Sequence, residues 1–190
     1  MNKRSNNAWS IRILLFALLL TAACNKAYGQ FYSAKVDILG LATGTFNIEG
    51  SMLIDRHWSA HLPVLYNPWT FPDNKKMKNI TVLPGVRYWM RETYSGGCFF
   101  GANAIITRYN FGGLLGSNYR YDGMGYGLGL SAGYAIPFKK RWNIEFELGA
   151  GVIWSEWDKY SCRRCGEKIE EESGFRLIPD KIAVCIVYLF

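Results

Sequence analysis

Between Gly123 and Tyr134 every second residue is apolar. Met124, Tyr126, Leu128, Leu130, Ala132 and Tyr134 share one parity, and only glycine and serine fill the other. A period of two belongs to a β-strand, because successive side chains leave opposite faces of the pleat. Trp142 to Ser155 repeats the pattern. Trp142, Ile144, Phe146, Leu148, Ala150, Val152 and Trp154 point one way, against Asn143, Glu145, Glu147, Gly149, Gly151 and Ser155. Large aliphatics on one face, glycine and charge on the other, limit a chain to few folds.

Eight such segments run roughly over 33–41, 46–54, 58–67, 80–90, 98–109, 123–136, 142–155 and 180–190. Several reach the roughly ten residues that a tilted strand needs to cross a bilayer. Short polar links, Asp55 to His57, Arg91 to Gly97 and Pro137 to Arg141, alternate with longer ones at Pro68–Asn79, Asn110–Asp122 and Glu156–Pro179. The first link, near Ala42 to Thr45, is short as well. The expectation is an all-β fold, an eight-stranded antiparallel transmembrane β-barrel with a filled lumen. The termini and most short links would lie on the periplasmic side.

Polarity separates this barrel from a soluble one, which would turn its apolar residues inward. Eight strands leave an interior wide enough only for side chains. Lys35, Asp37, Glu49, Arg87, Glu145 and Glu147 are the candidate inward charges. In so narrow and dry a lumen they must pair with one another, since an unpaired buried charge is costly. Tyr32, Trp58, Trp89, Trp142 and Phe190 are assigned to an aromatic belt at one edge, and Tyr66, Trp69, Tyr109 and Trp154 to one at the other. The competing reading is a secreted β-domain with these apolar faces as its core.

The N-terminus reads as a signal peptide over residues 1–29, with Lys3, Arg4 and Arg12 before or at the start of an apolar run from Ile13 to Ala23. The barrel domain is then 30–190. An alternative is a lipid anchor at Cys24. Removing Lys3, Arg4, Arg12 and Lys26 brings the formal charge from +7 to about +3, so nucleic acid is not an expected partner. The outer membrane is the expected location, with its lipid as surroundings.

Cys162 and Cys165 form a Cys-x-x-Cys-Gly turn in the longest loop and are the candidate disulfide. Zinc would need two further ligands, a redox role would need a thioredoxin-like setting, and free thiols are the remaining reading. Cys98 and Cys185, on separate strands, read as isolated residues. No catalytic constellation, cofactor site or metal site emerges. Asp158 and Ser161 sit at the outer rim without a histidine. His57 and His61 belong to or follow a turn at the other end. Glu145 and Glu147 read as plug salt bridges before they read as paired catalytic acids.

An ordered set of motifs carries a resemblance: Tyr66-Asn-Pro-Trp-Thr-Phe71, Asp73-Asn-Lys-Lys76, Pro84-Gly-Val-Arg-Tyr-Trp89, Arg141-Trp-Asn-Ile-Glu145 and Asp158-Lys-Tyr-Ser-Cys-Arg-Arg-Cys-Gly166. Together they resemble a Bacteroidota family of unknown function, of outer-membrane proteins often encoded beside fimbrial subunits. The resemblance spans nearly all of 30–190. It implies an outer-membrane barrel and a link to fimbriae, and it supplies no activity. The family usually has a carboxylate-bearing residue where this chain has Gly85, so an ionic partner for Arg87 must come from another strand. The expected function is non-enzymatic, structural or interactive, with fimbrial or other surface proteins meeting the 156–179 loop. A small transport barrel and an outer-membrane enzyme are the alternatives.

Overall fold

The computed structural model describes residues 32–72, 75–113, 119–161 and 168–190. The expected signal peptide, Cys24, Cys162 and Cys165 lie outside the described residues. Nine strands form one antiparallel sheet. They are β1 (Tyr32–Asp37), β2 (Phe46–Asp55), β3 (Trp58–Phe71), β4 (Lys75–Val82), β5 (Gly85–Trp89), β6 (Gly97–Gly112), β7 (Arg120–Lys139), β8 (Trp142–Tyr160) and β9 (Lys168–Leu189), with one short helix, α1 (Ile38–Ala42), after β1. β1 pairs with β9, Ser33 opposite Leu189 and Asp37 opposite Cys185, so the sheet closes in a ring.

The ninth strand comes from an interruption. β4 and β5 fill one place, since each pairs with β3 on one side and β6 on the other. Leu83-Pro84 divides them. Proline has no N–H to give a ladder, although its carbonyl still accepts from the Ala104 N–H at 2.9 Å. The segment expected as one strand over 80–90 is therefore broken, and the ring has eight places filled by nine strands.

Polarity follows the parity of the sequence. Leu128, Leu130, Leu148 and Leu177 are 74, 71, 65 and 78 % exposed on the outer wall. On the inner wall Lys35, Glu49, Arg87, Glu145 and Glu147 are buried. Inward glycines make room for neighbours. A Cβ at Gly133 would strike the Phe99 ring, and one at Gly151 the end of Ile105.

Three expectations change. The strand expected to reach residue 41 stops at Asp37, whose carboxylate accepts from the N–H groups of Leu39 and Gly40 and caps α1. It also accepts from Val184 N–H on β9 at 3.0 Å. Asp37→Ala should therefore lower stability by about 1–2 kcal/mol, to be read from urea unfolding of both proteins; an unchanged midpoint would show the cap to be redundant. The long links also shorten. β8 continues to Tyr160 and β9 begins at Lys168, so most of 156–179, expected as a loop, is a projecting hairpin. Trp154 and Phe175 face each other across it, ring centroids 4.7 Å apart. Lastly, Trp89 and Tyr109 leave the belts. Trp89 shares the parity of Arg87, is fully buried and donates to Ser59 Oγ at 3.0 Å. Tyr109 turns inward and bonds Ser155 Oγ at 2.6 Å.

Candidate functional site

The interior is layered along the ring axis. At the end bearing the short turns, Trp89, Tyr94, Phe99, Ala135, Val187 and Leu189 form an apolar plug. Tyr94 comes from the link before β6, expected as a polar turn. With φ at +66° it folds inward, packs against Trp89 and bonds Ser51 Oγ through its hydroxyl at 2.7 Å. Its carbonyl accepts from Asn143 Nδ2 at 3.0 Å.

Next comes an ionic layer. Lys35 Nζ donates to Glu145 Oε2 at 3.0 Å and to Glu147 Oε2 at 2.8 Å, and lies 3.7 Å from Glu49. Arg87 engages both oxygens of Glu49 and reaches Glu147 Oε2 at 2.9 Å. Lys181 Nζ donates to Glu147 Oε1 at 2.8 Å, as does Ser131 Oγ at 2.8 Å. Glu147 therefore collects four side chains from four strands. The layer joins three cations, Lys35, Arg87 and Lys181, to three carboxylates, Glu49, Glu145 and Glu147, so its formal charge cancels. Arg87 finds its partners on β2 and β8, as the glycine at 85 requires. A Cβ there would collide with the Ala102 carbonyl of β6.

Of the residues expected to share this layer, only Asp37 lies elsewhere, at the helix cap. Lys181 and His61 join it instead. His61 Nε2 lies 3.3 Å from Lys181 Nζ, and its Nδ1 is buried. His57 stays near the turn, its ring 6.1 Å from that of Tyr88. Cys98 is exposed and Cys185 buried, and both are free thiols.

Above the ions, Leu83, Ile105 and Ile153, with Leu65 and Ile178, begin an apolar wall around a cavity of about 690 Å³. The cavity occupies the end of the ring where the strands run longest. Thr107, Tyr109, Phe111, Tyr121, Ser155 and Trp157 continue its sides, Lys159, Glu172 and Arg176 stand higher, and Asp180 closes its floor. Nothing in the sequence reading pointed to Asp180. It marks a register shift in which Gly149 pairs with Lys181 while Ala150 pairs with Pro179, leaving Asp180 as the extra residue of a β-bulge. The bulge changes the phase of β9. Phe175 and Leu177 face outward at odd positions, Ile182 and Ile186 at even ones. Asp180 and Lys181 consequently both face inward.

A family model described as "Protein of unknown function (DUF3575)" matches residues 14–190. No curated protein and no solved structure matches the chain.

Proposed function

The chain belongs to the DUF3575 family of proteins of unknown function, and we propose that it is a non-enzymatic outer-membrane β-barrel that presents a hairpin to other surface molecules. The observation that carries this reading is the reversed polarity of the ring, with a wall of exposed leucines outside and paired charges inside. In water such a wall far exceeds the few hundred Å² of contiguous apolar surface that a soluble monomer usually shows. In hydrocarbon the same wall costs nothing, and the pairs from Ser33–Leu189 to Asp37–Cys185 close the ring at the end bearing the short turns. Among the described residues no helix is long and apolar enough to cross a membrane, so strands would do the crossing.

Exposed and half-buried rings fit the two edges. Trp58 with Tyr88, and Trp142 with Tyr188 and Phe190, cluster toward the short turns; Phe46 with Trp69, and Trp154 with Phe175, cluster toward the far end. Such rings favour the acyl boundary. β8 and β9, 19 and 22 residues long, exceed the roughly 9–11 residues of a crossing, so their hairpin projects beyond it. Interaction suits this protein better than conduction, because the plug and ionic layer fill the half of the lumen nearest the short turns. It also suits it better than catalysis, because Lys35, Arg87 and Lys181 hold Glu145 and Glu147. Fimbrial proteins are the partner class that the motif resemblance suggests for the hairpin.

The test is to fractionate cells and run the membrane sample on SDS gels, boiled and unboiled. A closed barrel fractionates with the outer membrane and migrates faster unboiled. Recovery in the periplasm without a heat-dependent shift would overturn the reading. Shortening the hairpin at 158–172 should then leave the shift intact and abolish co-purification of surface proteins.

A further inference from the structure

Among the described residues, the acid on which the loop-end cavity ends pairs with no cation. We propose that this cavity is a binding site for an amphipathic molecule with a protonated primary amine on an apolar body, the amine seated on Asp180. Its volume, about 690 Å³, falls within the roughly 300–1,000 Å³ of small-molecule sites. Its lower walls are aliphatic, from Leu65, Leu83, Ile105, Ile153 and Ile178, and Trp157 adds a large flat surface higher up.

The floor sets the head group. Asp180 Oδ2 accepts from Asn103 Nδ2 at 3.0 Å, whereas its Oδ1 is buried with no hydrogen-bond partner. Asn103 is 3 % exposed, and its own Oδ1 is unpartnered as well. Because Asn103 must turn its NH₂ toward the carboxylate, the oxygen left over is an acceptor too. Among the described residues neither Asp180 Oδ1 nor Asn103 Oδ1 receives a donor, which calls for a ligand that donates.

Charge narrows the choice further. The ionic layer below is balanced, three against three, and among the described residues no cation pairs with Asp180. An ammonium satisfies both the charge and the hydrogen bonds. At the floor a carboxylate or phosphate head would meet repulsion from Asp180, the cations Lys159 and Arg176 standing higher, and a pure hydrocarbon would leave both oxygens stranded. The backbone clears space for the acid. A Cβ at Gly129 or at Gly149 would collide with the Asp180 carboxylate, so two strands give up side chains where the bulge delivers it.

The probes are 4-phenylbutylamine, 4-phenylbutanol and 4-phenylbutyrate, titrated calorimetrically into the full chain held in amphipol. The amine should bind at least about tenfold more tightly than the alcohol, the weight of one charge-assisted hydrogen bond, and the carboxylate should bind weakest. Asp180→Asn should erase the preference for amine over alcohol. Thr107→Trp, which fills the cavity and spares Asp180, should abolish binding of both. Equal affinity for amine and alcohol, or an amine preference that survives in Asp180→Asn, would overturn the proposal. If Asp180→Asn does not fold, the wild-type ranking and Thr107→Trp still decide. Failure here leaves the gel shift untouched, and failure of the gel shift leaves this ranking untouched.

Discussion

Glu147→Ala should destabilise the fold by about 3–5 kcal/mol, the usual cost of breaking a buried ion pair by removing one partner. The figure is large because Glu147 is shared. Removing it deprives Lys35, Arg87, Lys181 and Ser131 of an acceptor together, in a layer where each cation is at most a few per cent exposed. Three ammonium or guanidinium groups would then face only Glu49 and Glu145. Glu147→Gln keeps the shape and an acceptor oxygen but loses the charge, so it should fall between wild type and alanine. Urea unfolding of the purified protein in detergent, followed by the heat-dependent gel shift, measures both variants. A loss below about 1 kcal/mol for alanine would mean that the layer is hydrated and behaves like surface pairs. Should the alanine variant not fold, the glutamine variant still supplies the number.

The second large effect is expected where β7 passes β8. Gly127 has no side chain, and a Cβ there would run into the Val152 carbonyl oxygen and the Ile153 Cα, both backbone atoms that cannot swing aside. Gly127→Val should therefore part the two strands and abolish the heat-dependent shift, exceeding the roughly 1–3 kcal/mol of ordinary overpacking. Gly50→Ala is the matched comparison. Nothing lies within 4 Å of a Cβ at that position, so the substitution should change stability by no more than about 0.5 kcal/mol. Equal behaviour of the two variants would show that the inner glycines of β7 are not there for close approach.

Most of the sheet was legible because parity was strict where strands were long. β7 and β8 alternate without a break, and their outward sets were named residue by residue. The interruption at Leu83-Pro84 was harder to see, since the flanking parity looks continuous and only the missing N–H divides the strand. Trp89 illustrates a different miss. It shares the inward parity of Arg87, and that geometric constraint outweighs the general preference of tryptophan for an interface. The ends of the long strands resemble loops in sequence because charge dominates Glu170, Glu171 and Glu172, yet each pairs across the ladder with Lys159, Asp158 or Trp157.

In the ionic layer, Lys35, Glu49, Arg87, Glu145 and Glu147 could be chosen by parity alone. Asp37 could not be excluded that way, because a helix cap depends on where the chain turns. His61 and Lys181 also lie on inward parities, and only closure of the ring brings them together. Asp180 was beyond reach for another reason. Its inward direction depends on the bulge, and the only trace in the sequence is the change from odd to even apolar positions between Leu177 and Ile182.

The layering separates two tasks that most small domains must combine. Closure depends on the plug and the ions near the short turns, whereas the residues around the cavity pack against empty space on one side. Phe111 and Tyr121 can therefore be exchanged over generations with little penalty to assembly, while Glu147 cannot. Such a ring is evolvable in a particular sense: its contents can diversify on a frame that stays the same.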